Sequence, residues 1–481
     1  MKNRKRIISA ALVAALLGTS IMSGTVLAAK KTDSGLTYKV SGKNATITGY
    51  KGTSTKVKIP KKIGKYTVTK IGKNAFLGNT KIKSVSVPKT VTAIEYGAFG
   101  GADKLTKVTV ASDSKLKSIG TWAFGRSGIK SFVMPDSVNK IGTYLFSECN
   151  QLEMATLSPG LKSIPKQTFY WDPMLYSINI PESVTSIGTY AFASCSQLNT
   201  VNGGKNVKTL GDYAFAWDYS LTNVSFDNVK TVGKDAFDGA GISTLKFTNK
   251  SLTIKDEAYL GASVTSVTFP KSVTSIQYGA FNNCYSLTEI KLPTKVGSIS
   301  GGIFTNTSWA DEQKDPVYVG DNLLMAKTGV SSVAVKSGTK KICEFAFEGE
   351  TTLGSVTIPD GVKTIGEGAF FDTGLTSVTI PDSVTEIGNL ALGYKKYEYK
   401  VQWYDFENYD DYWTRYEEAK AKEKKENSVI EYSNWDSEST DIITKYCYGD
   451  CVRIPNFTIY GKEGSAAEAY AKTFGFNFVA K

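Results

Sequence analysis

Residues 375–388 read Leu375-Thr-Ser-Val-Thr-Ile-Pro-Asp-Ser-Val-Thr-Glu-Ile-Gly388, and most other copies of this phrase close with Ala-Phe, as in Ala369-Phe370. The closing Phe falls at 76, 99, 124, 146, 169, 192, 215, 237, 281, 304, 347 and 370, with Tyr259 and Leu392 taking its place in two further copies. The steps are 22, 23 or 25 residues, apart from one of 43 that must hold an insertion. A fixed period of this size marks a solenoid, in which each repeat buries its apolar side only against its neighbours. The expected fold is an α/β repeat of about 14 such units, with short parallel strands on one face and single helical turns on the other.

Within each repeat the segment Leu-x-x-Val-x-Ile reads as a short strand whose apolar residues, such as Leu375, Val378 and Ile380, point to one side. Proline often follows, at Pro88, Pro135, Pro181, Pro270, Pro293, Pro359 and Pro381, and ends the strand because it has no N–H for the ladder. A hydroxyl two residues on, at Thr90, Ser137, Ser183, Ser272 or Ser383, is expected to satisfy backbone groups at the bend. Ile-Gly then leads into the turn that carries Phe to the interior.

Together these positions spell Leu-x-x-Val-x-Ile-Pro-x-Ser-Val-x-x-Ile-Gly-x-x-Ala-Phe-x-x-Cys, which closely resembles the BspA-type leucine-rich repeat of bacterial surface proteins. The resemblance covers nearly all of the chain after residue 28. It implies a non-enzymatic adhesion or protein-interaction scaffold whose partners are extracellular proteins or cell-surface ligands. Ser or Thr replaces the Asn that usually follows the strand in leucine-rich repeats, so no continuous Asn ladder is expected.

The flanks and interruptions read differently. Residues 1–28 combine a basic start, an apolar run from Ile7 to Leu17 and small residues before Ala28, which is the pattern of a secretory signal. Residues 29–66 alternate apolar and polar side chains around Gly42-Lys-Asn44 and predict a hairpin cap before repeats spanning 67–392. Within 305–336, two apolar runs around Gly320-Asp-Asn322 predict a hairpin budding from the solenoid. Residues 451–481 predict a closing strand and helix, with Ser465-Ala-Ala-Glu468 as a capping box and Gly475 as the stop.

Composition narrows the function. Histidine is absent, which removes imidazole bases, Ser-His-Asp machinery and His-containing zinc sites. No residues suggest a cofactor or a catalytic pair. The formal charge of +12 falls to +8 without the four basic residues of the signal, a mild bias towards acidic surfaces. An exported chain of this kind is not expected to bind nucleic acid.

Three groups of candidate residues follow. The side chains flanking the central Val of each strand face outward, among them Lys107, Thr109, Asn179, Lys246 and Lys291. They form either an extended partner-binding face or a solvated β surface, and they include no row of aromatics for stacking sugars. The segment 393–450 holds 14 aromatic residues and carries −5, with Trp403, Tyr404, Tyr409, Tyr412 and Trp413 as candidate contacts. It reads as a recognition loop for protein or glycan, or as an excursion packing on the basic solenoid. A rival function, wall-associated carbohydrate binding or hydrolysis, would use this segment. Its acids Asp405, Glu407, Asp410 and Asp411 lack the spacing of an EF-hand calcium loop. Cys149, Cys195, Cys284 and Cys343 read as packing thiols, whereas Cys447 and Cys451 can close a small disulfide loop in an exported protein.

Overall fold

The computed structural model describes residues 30–111, 113–327, 329–396 and 451–481. The candidate signal at 1–28, the candidate contacts Trp403, Tyr404, Tyr409, Tyr412 and Trp413, and Cys447 lie outside the described residues. The chain winds into a parallel β-solenoid of about 17 turns rather than 14. Strands of the end caps and of the 305–336 insertion join the same ladders as the repeats, which adds turns.

Each repeat contributes two short strands because its apolar residues come in two groups. In the first strand, such as Ser84–Val87 or Ser177–Ile180, alternate residues are buried and their neighbours face out. Seven of these strands pair in order from Lys56–Lys58 to Thr200–Gly203. The second strand is a pair of residues such as Ser118–Ile119 or Ser186–Ile187, and it builds a separate parallel ladder. Between the two lies the Phe column. Its rings stack from Phe76 on Phe99 (5.0 Å) through Phe281 on Phe304 (5.6 Å), and again from Phe347 to Phe370 (4.8 Å).

The third side is not helical. Around Phe124, the amides of Ala123, Gly125 and Ser127 close three-residue turns onto Gly120, Trp122 and Phe124. Those of Trp122, Phe124 and Arg126 instead donate across to Thr143, Leu145 and Ser147 of the next repeat. To aim alternate amides this way, Trp122 and Arg126 take left-handed φ angles of 55° and 57°. The same pattern recurs at Tyr190 and Ser194, and at Tyr213 and Trp217. A left-handed residue other than Gly costs on the order of 1 kcal/mol. The inter-repeat ladder offsets this by giving every second amide a partner, which a lone helical turn would leave unpaired.

Close stacking explains the Gly of Ile-Gly. A side chain at Gly142 would start 2.2 Å from the Thr121 backbone nitrogen, and one at Gly188 would start 2.6 Å from that of Lys166. Gly142 and Gly188 donate to Ile119 and Ile164 of the preceding repeats, both at 2.8 Å. Pro165 occupies this position with no N–H to give. The second ladder accordingly ends at Lys140–Ile141 and restarts at Ser163–Ile164.

Of the hydroxyls after the strand, those of Ser137, Ser183 and Ser383 act between repeats rather than within their own bend, whereas the buried Thr90 hydroxyl has no hydrogen-bond partner among the described residues. Ser137 donates to Leu116 O (2.7 Å), Ser183 to Pro159 O (2.7 Å), and Ser383 accepts from Gly361 N (2.9 Å), each in the preceding repeat. Cys149, Cys195 and Cys284 are fully buried and donate their thiols to the carbonyls of Phe124, Phe169 and Tyr259 at 3.0 Å. They pack and bond inside the coil.

The insertion at 305–336 does not bud outward. Val317–Val319 and Asn322–Met325 do form a hairpin, but the second strand pairs in parallel with Lys341–Ile342, and Leu323 and Leu324 are buried. Two apolar residues in a row made a free hairpin the costlier choice. The apolar core divides here into two clusters that interleave, the first continuing past Phe304 to Ala310, Val319, Leu324 and Cys343 and the second beginning at Leu323.

Both ends are covered. Leu36–Ser41 and Asn44–Tyr50 form an antiparallel hairpin whose second strand pairs with Tyr66–Ile71. At the other end Thr458–Gly461 pairs with Ser377–Thr379, and the helix Ala466–Phe474 ends at Gly475 in a left-handed conformation. The capping box is incomplete. Glu468 accepts from Gly464 N rather than Ser465 N, and the Ser465 side chain makes no cap bond. Tyr470 from this helix accepts from Leu392 N (3.1 Å) and donates to Leu392 O (3.2 Å), closing the last rung of the turn ladder. Tyr470→Phe strands both buried groups and is expected to cost about 1 to 3 kcal/mol. Faster amide exchange at Leu392 with unchanged protection near Phe192 would show it; unchanged protection at both would refute the clamp.

Candidate interaction surface

The strand side carries the outward-facing residues picked out from sequence, but in two separate sheets. Lys107 lies between Ser84 and Ser131, Thr109 pairs with Ser86, and Asn179 pairs with Asn202, all in the long sheet. Lys246 and Lys291 share one row on either side of Thr268 in a three-stranded sheet. All five are exposed. The structure therefore joins Lys246 with Lys291 but leaves Lys107 apart from them.

The sheets part at residues 221–226. Leu221 to Val232 is one residue shorter than Leu375 to Ile387, and Phe226-Asp227 stands where Ile380-Pro381 stands. Phe226 turns in against Gly204, where an added side chain would start 2.7 Å from its ring. Only Asn223 still bridges to Thr200. The gap forms a shallow cleft of about 450 Å³ lined by Asn202, Thr222, Asn223, Ser225, Ser243 and Thr244. These amides and hydroxyls offer neutral donors and acceptors only.

Beside the cleft the face changes character. Val133, Met154 and Tyr176 are 68%, 48% and 49% exposed, on or directly before three consecutive strands. Met154 pairs with Ser131 and Ser177, so it adjoins Val133 diagonally, and Tyr176 N donates to Glu153 O one residue from it. Met154 and Tyr176 are absent from the residues chosen by sequence. Their signal was available, since Met stands in a row otherwise built of Ser, Thr and Lys. Lys107, Thr109 and Asn179 frame this apolar group.

Among the described residues no group of three or more His, Cys, Asp or Glu is placed to hold a metal ion, and no helix is long and apolar enough to cross a membrane. The strongest electrostatic perturbations are internal. Burial pushes the carboxyls of Asp172 and Asp218 well above the usual carboxylate range, and it pushes the thiols of Cys149 and Cys195 up likewise. Cys451 is half-buried on the strand Cys451–Arg453, which pairs with Tyr394–Lys396.

Two-strand repeats with an interior aromatic column, a polar strand face and capped ends define a leucine-rich-repeat solenoid. The family described as BspA type Leucine rich repeat region matches residues 69–199, 162–258, 208–312 and 317–402, and the chain belongs to that family. It is similar to a leucine-rich repeat protein from Bacteroides ovatus, with 23% identity over 73% of this chain and 97% of that one and a TM-score of 0.49. It is also similar to a leucine rich cell surface protein from Faecalibacterium prausnitzii (25% identity, 74% and 94% of the two chains, TM-score 0.37). A leucine-rich repeat protein from T. pallidum is 27% identical over 40% of this chain and 91% of its own, with a TM-score of 0.37. No curated protein matches the chain.

Proposed function

We propose that the protein is a non-enzymatic, extracellular or cell-surface scaffold that binds a protein partner through the strand face, centred on Val133, Met154 and Tyr176. The observation that carries this reading is the exposed apolar group itself, set in a face of hydroxyls, amides and lysines. Large apolar side chains left in water in adjacent repeats gain most by burial against a partner. A central apolar anchor with a polar rim is the usual anatomy of a protein interface. Family membership supports the same role. The basic start of the chain and its apolar run support export.

The test is binding of the purified protein to a panel of extracellular-matrix proteins and whole bacterial surfaces. With Met154→Glu and Tyr176→Ala combined, affinity for the bound partner is expected to fall about tenfold or more. Lys246→Glu with Lys291→Glu should leave it within about twofold at physiological salt. Binding that survives the first pair of substitutions and is lost with the second would move the site to the three-stranded sheet and overturn this assignment.

A further inference from the structure

The aromatic row missing from the strand face exists on the turn side. Tyr190 and Tyr213, two residues before the interior Phe of consecutive repeats, stack in parallel planes with centroids 4.6 Å apart. Tyr170 meets Tyr190 edge-on at 6.0 Å, and Trp171 stands 6.2 Å beyond it. In the other direction Trp217 lies 6.0 Å from Tyr213. Tyr219 and Trp217 both border Gly239, whose missing side chain would start 3.2 Å and 3.9 Å from them. Five aromatic side chains thus run in contact across neighbouring repeats, from Trp171 to Trp217, and Tyr219 stands next to them across Gly239. Trp171 is 52% exposed and Tyr219 63% exposed, and the four between them are half-buried.

The rings pack on one another, and the Asp235 and Asp238 carboxylates stand beside Tyr213 and Trp217. Rings fixed before binding lose little freedom when a ligand arrives. Ala193 and Ala216, one residue after the interior Phe, are small and buried, which leaves the rings the surface. The left-handed backbone at Tyr190, Tyr213 and Trp217 aims the side chains outward while their amides stay in the inter-repeat ladder.

We propose that this row is a binding site for an uncharged polysaccharide chain lying along the solenoid axis. Its charged neighbours select the class. Glu148, Asp212, Asp235, Asp238 and Glu257 lie beside the rings, and the cations among them are already engaged: Arg126 by Glu148, Lys255 by Asp212, and Lys234 by Asp235 and Glu257. Phosphate or uronate polymers meet repulsion here, which excludes nucleic acid and acidic glycans. Sugar hydroxyls, in contrast, find carboxylates and phenol oxygens to hydrogen-bond, and sugar C–H groups find the ring edges of the stacked Tyr190 and Tyr213 and the exposed rings of Trp171 and Tyr219. The strand-side group offers Val and Met, suited to a protein; this row has neither. Neighbouring repeats in a parallel ladder advance by about 4.8 Å, close to the advance of a β-linked hexose chain, so successive sugars meet successive repeats in similar surroundings.

The experiment titrates the whole protein with cellohexaose, chitohexaose and, as the charged control, hexagalacturonate, following tryptophan fluorescence and calorimetric heat. At least one uncharged hexasaccharide is expected to bind, and the galacturonate is not. Trp171→Ala and Trp217→Ala should each weaken binding by about tenfold, with circular dichroism showing the fold retained. Met154→Glu with Tyr176→Ala should leave it unchanged, which separates this site from the strand face. Binding of neither uncharged sugar, binding of the acidic one alone, or binding indifferent to both tryptophan variants overturns the proposal. So does a protein ligand lost in the same variants when no sugar binds.

Discussion

Phe192→Ala is expected to lower the stability of the solenoid by about 3 to 5 kcal/mol. Phe192 is fully buried and sits between Phe169 at 5.1 Å and Phe215 at 5.0 Å, with all three rings near parallel. Truncation removes the ring's own transfer free energy and both stacking contacts. The hole cannot collapse, because the turn ladder and two strand ladders fix the separation of the flanking repeats. In a one-dimensional array the damage also spreads unevenly, since each repeat is stabilised mainly by its neighbours. Amide protection should fall most between residues 169 and 215, while the second core cluster around Phe347 and Phe370 keeps its protection. Urea melting that matches the parent would remove Phe192 from the core.

That result was visible in sequence because the Phe column depends on period alone. The same holds for the strands, which need only alternate Val and Ile, and for the hairpin at Leu36–Ser41 and Asn44–Tyr50, which needs only a turn between alternating runs. The features that escaped depend on bonds between repeats. Nothing at Trp122 or Tyr213 announces a left-handed backbone, since that conformation is favoured only once the next repeat supplies carbonyls to its amides. A segment read alone as Gly-x-x-Ala-Phe has helical composition, and only stacking converts it to a ladder. The same blindness hid the aromatic row. Tyr170, Tyr190 and Tyr213 are some 20 residues apart in the chain and become one surface through the coil. Met154 was a different kind of miss, because its register position was readable and only the regularity of the neighbouring Ser and Thr concealed it.

Asp172→Asn and Asp218→Asn together are expected to stabilise the protein increasingly as pH rises from 4 to 8. Both carboxyls are fully buried, three residues after an interior Phe, where other repeats place Cys149, Cys195 or Cys284. In each, Oδ1 accepts a backbone N–H at 2.8 Å, from Cys149 and Cys195 respectively, and Oδ2 has no partner among the described residues. Asp172 is faced by the Cys149 thiol and the Glu148 carboxylate, Asp218 by the Cys195 thiol, and no cation compensates either among the causes of its shift. Burial therefore raises both acids in the folded state above their unfolded value near 4. The folded chain then holds protons that the unfolded chain releases, so stability is full below about pH 4 and is lost as pH rises towards the folded-state values. The loss per carboxyl is up to about 1.4 kcal/mol for each pH unit in that interval. Asparagine keeps the Oδ1 acceptor for the Cys amides and has no proton to lose. Melting temperatures of variant and parent should nearly coincide at pH 4 and separate in the variant's favour by pH 8. The buried thiols, pushed upward by the same desolvation, stay protonated in this range and add nothing to the difference. Parallel pH profiles for the two proteins would mean that neither carboxyl is buried as described.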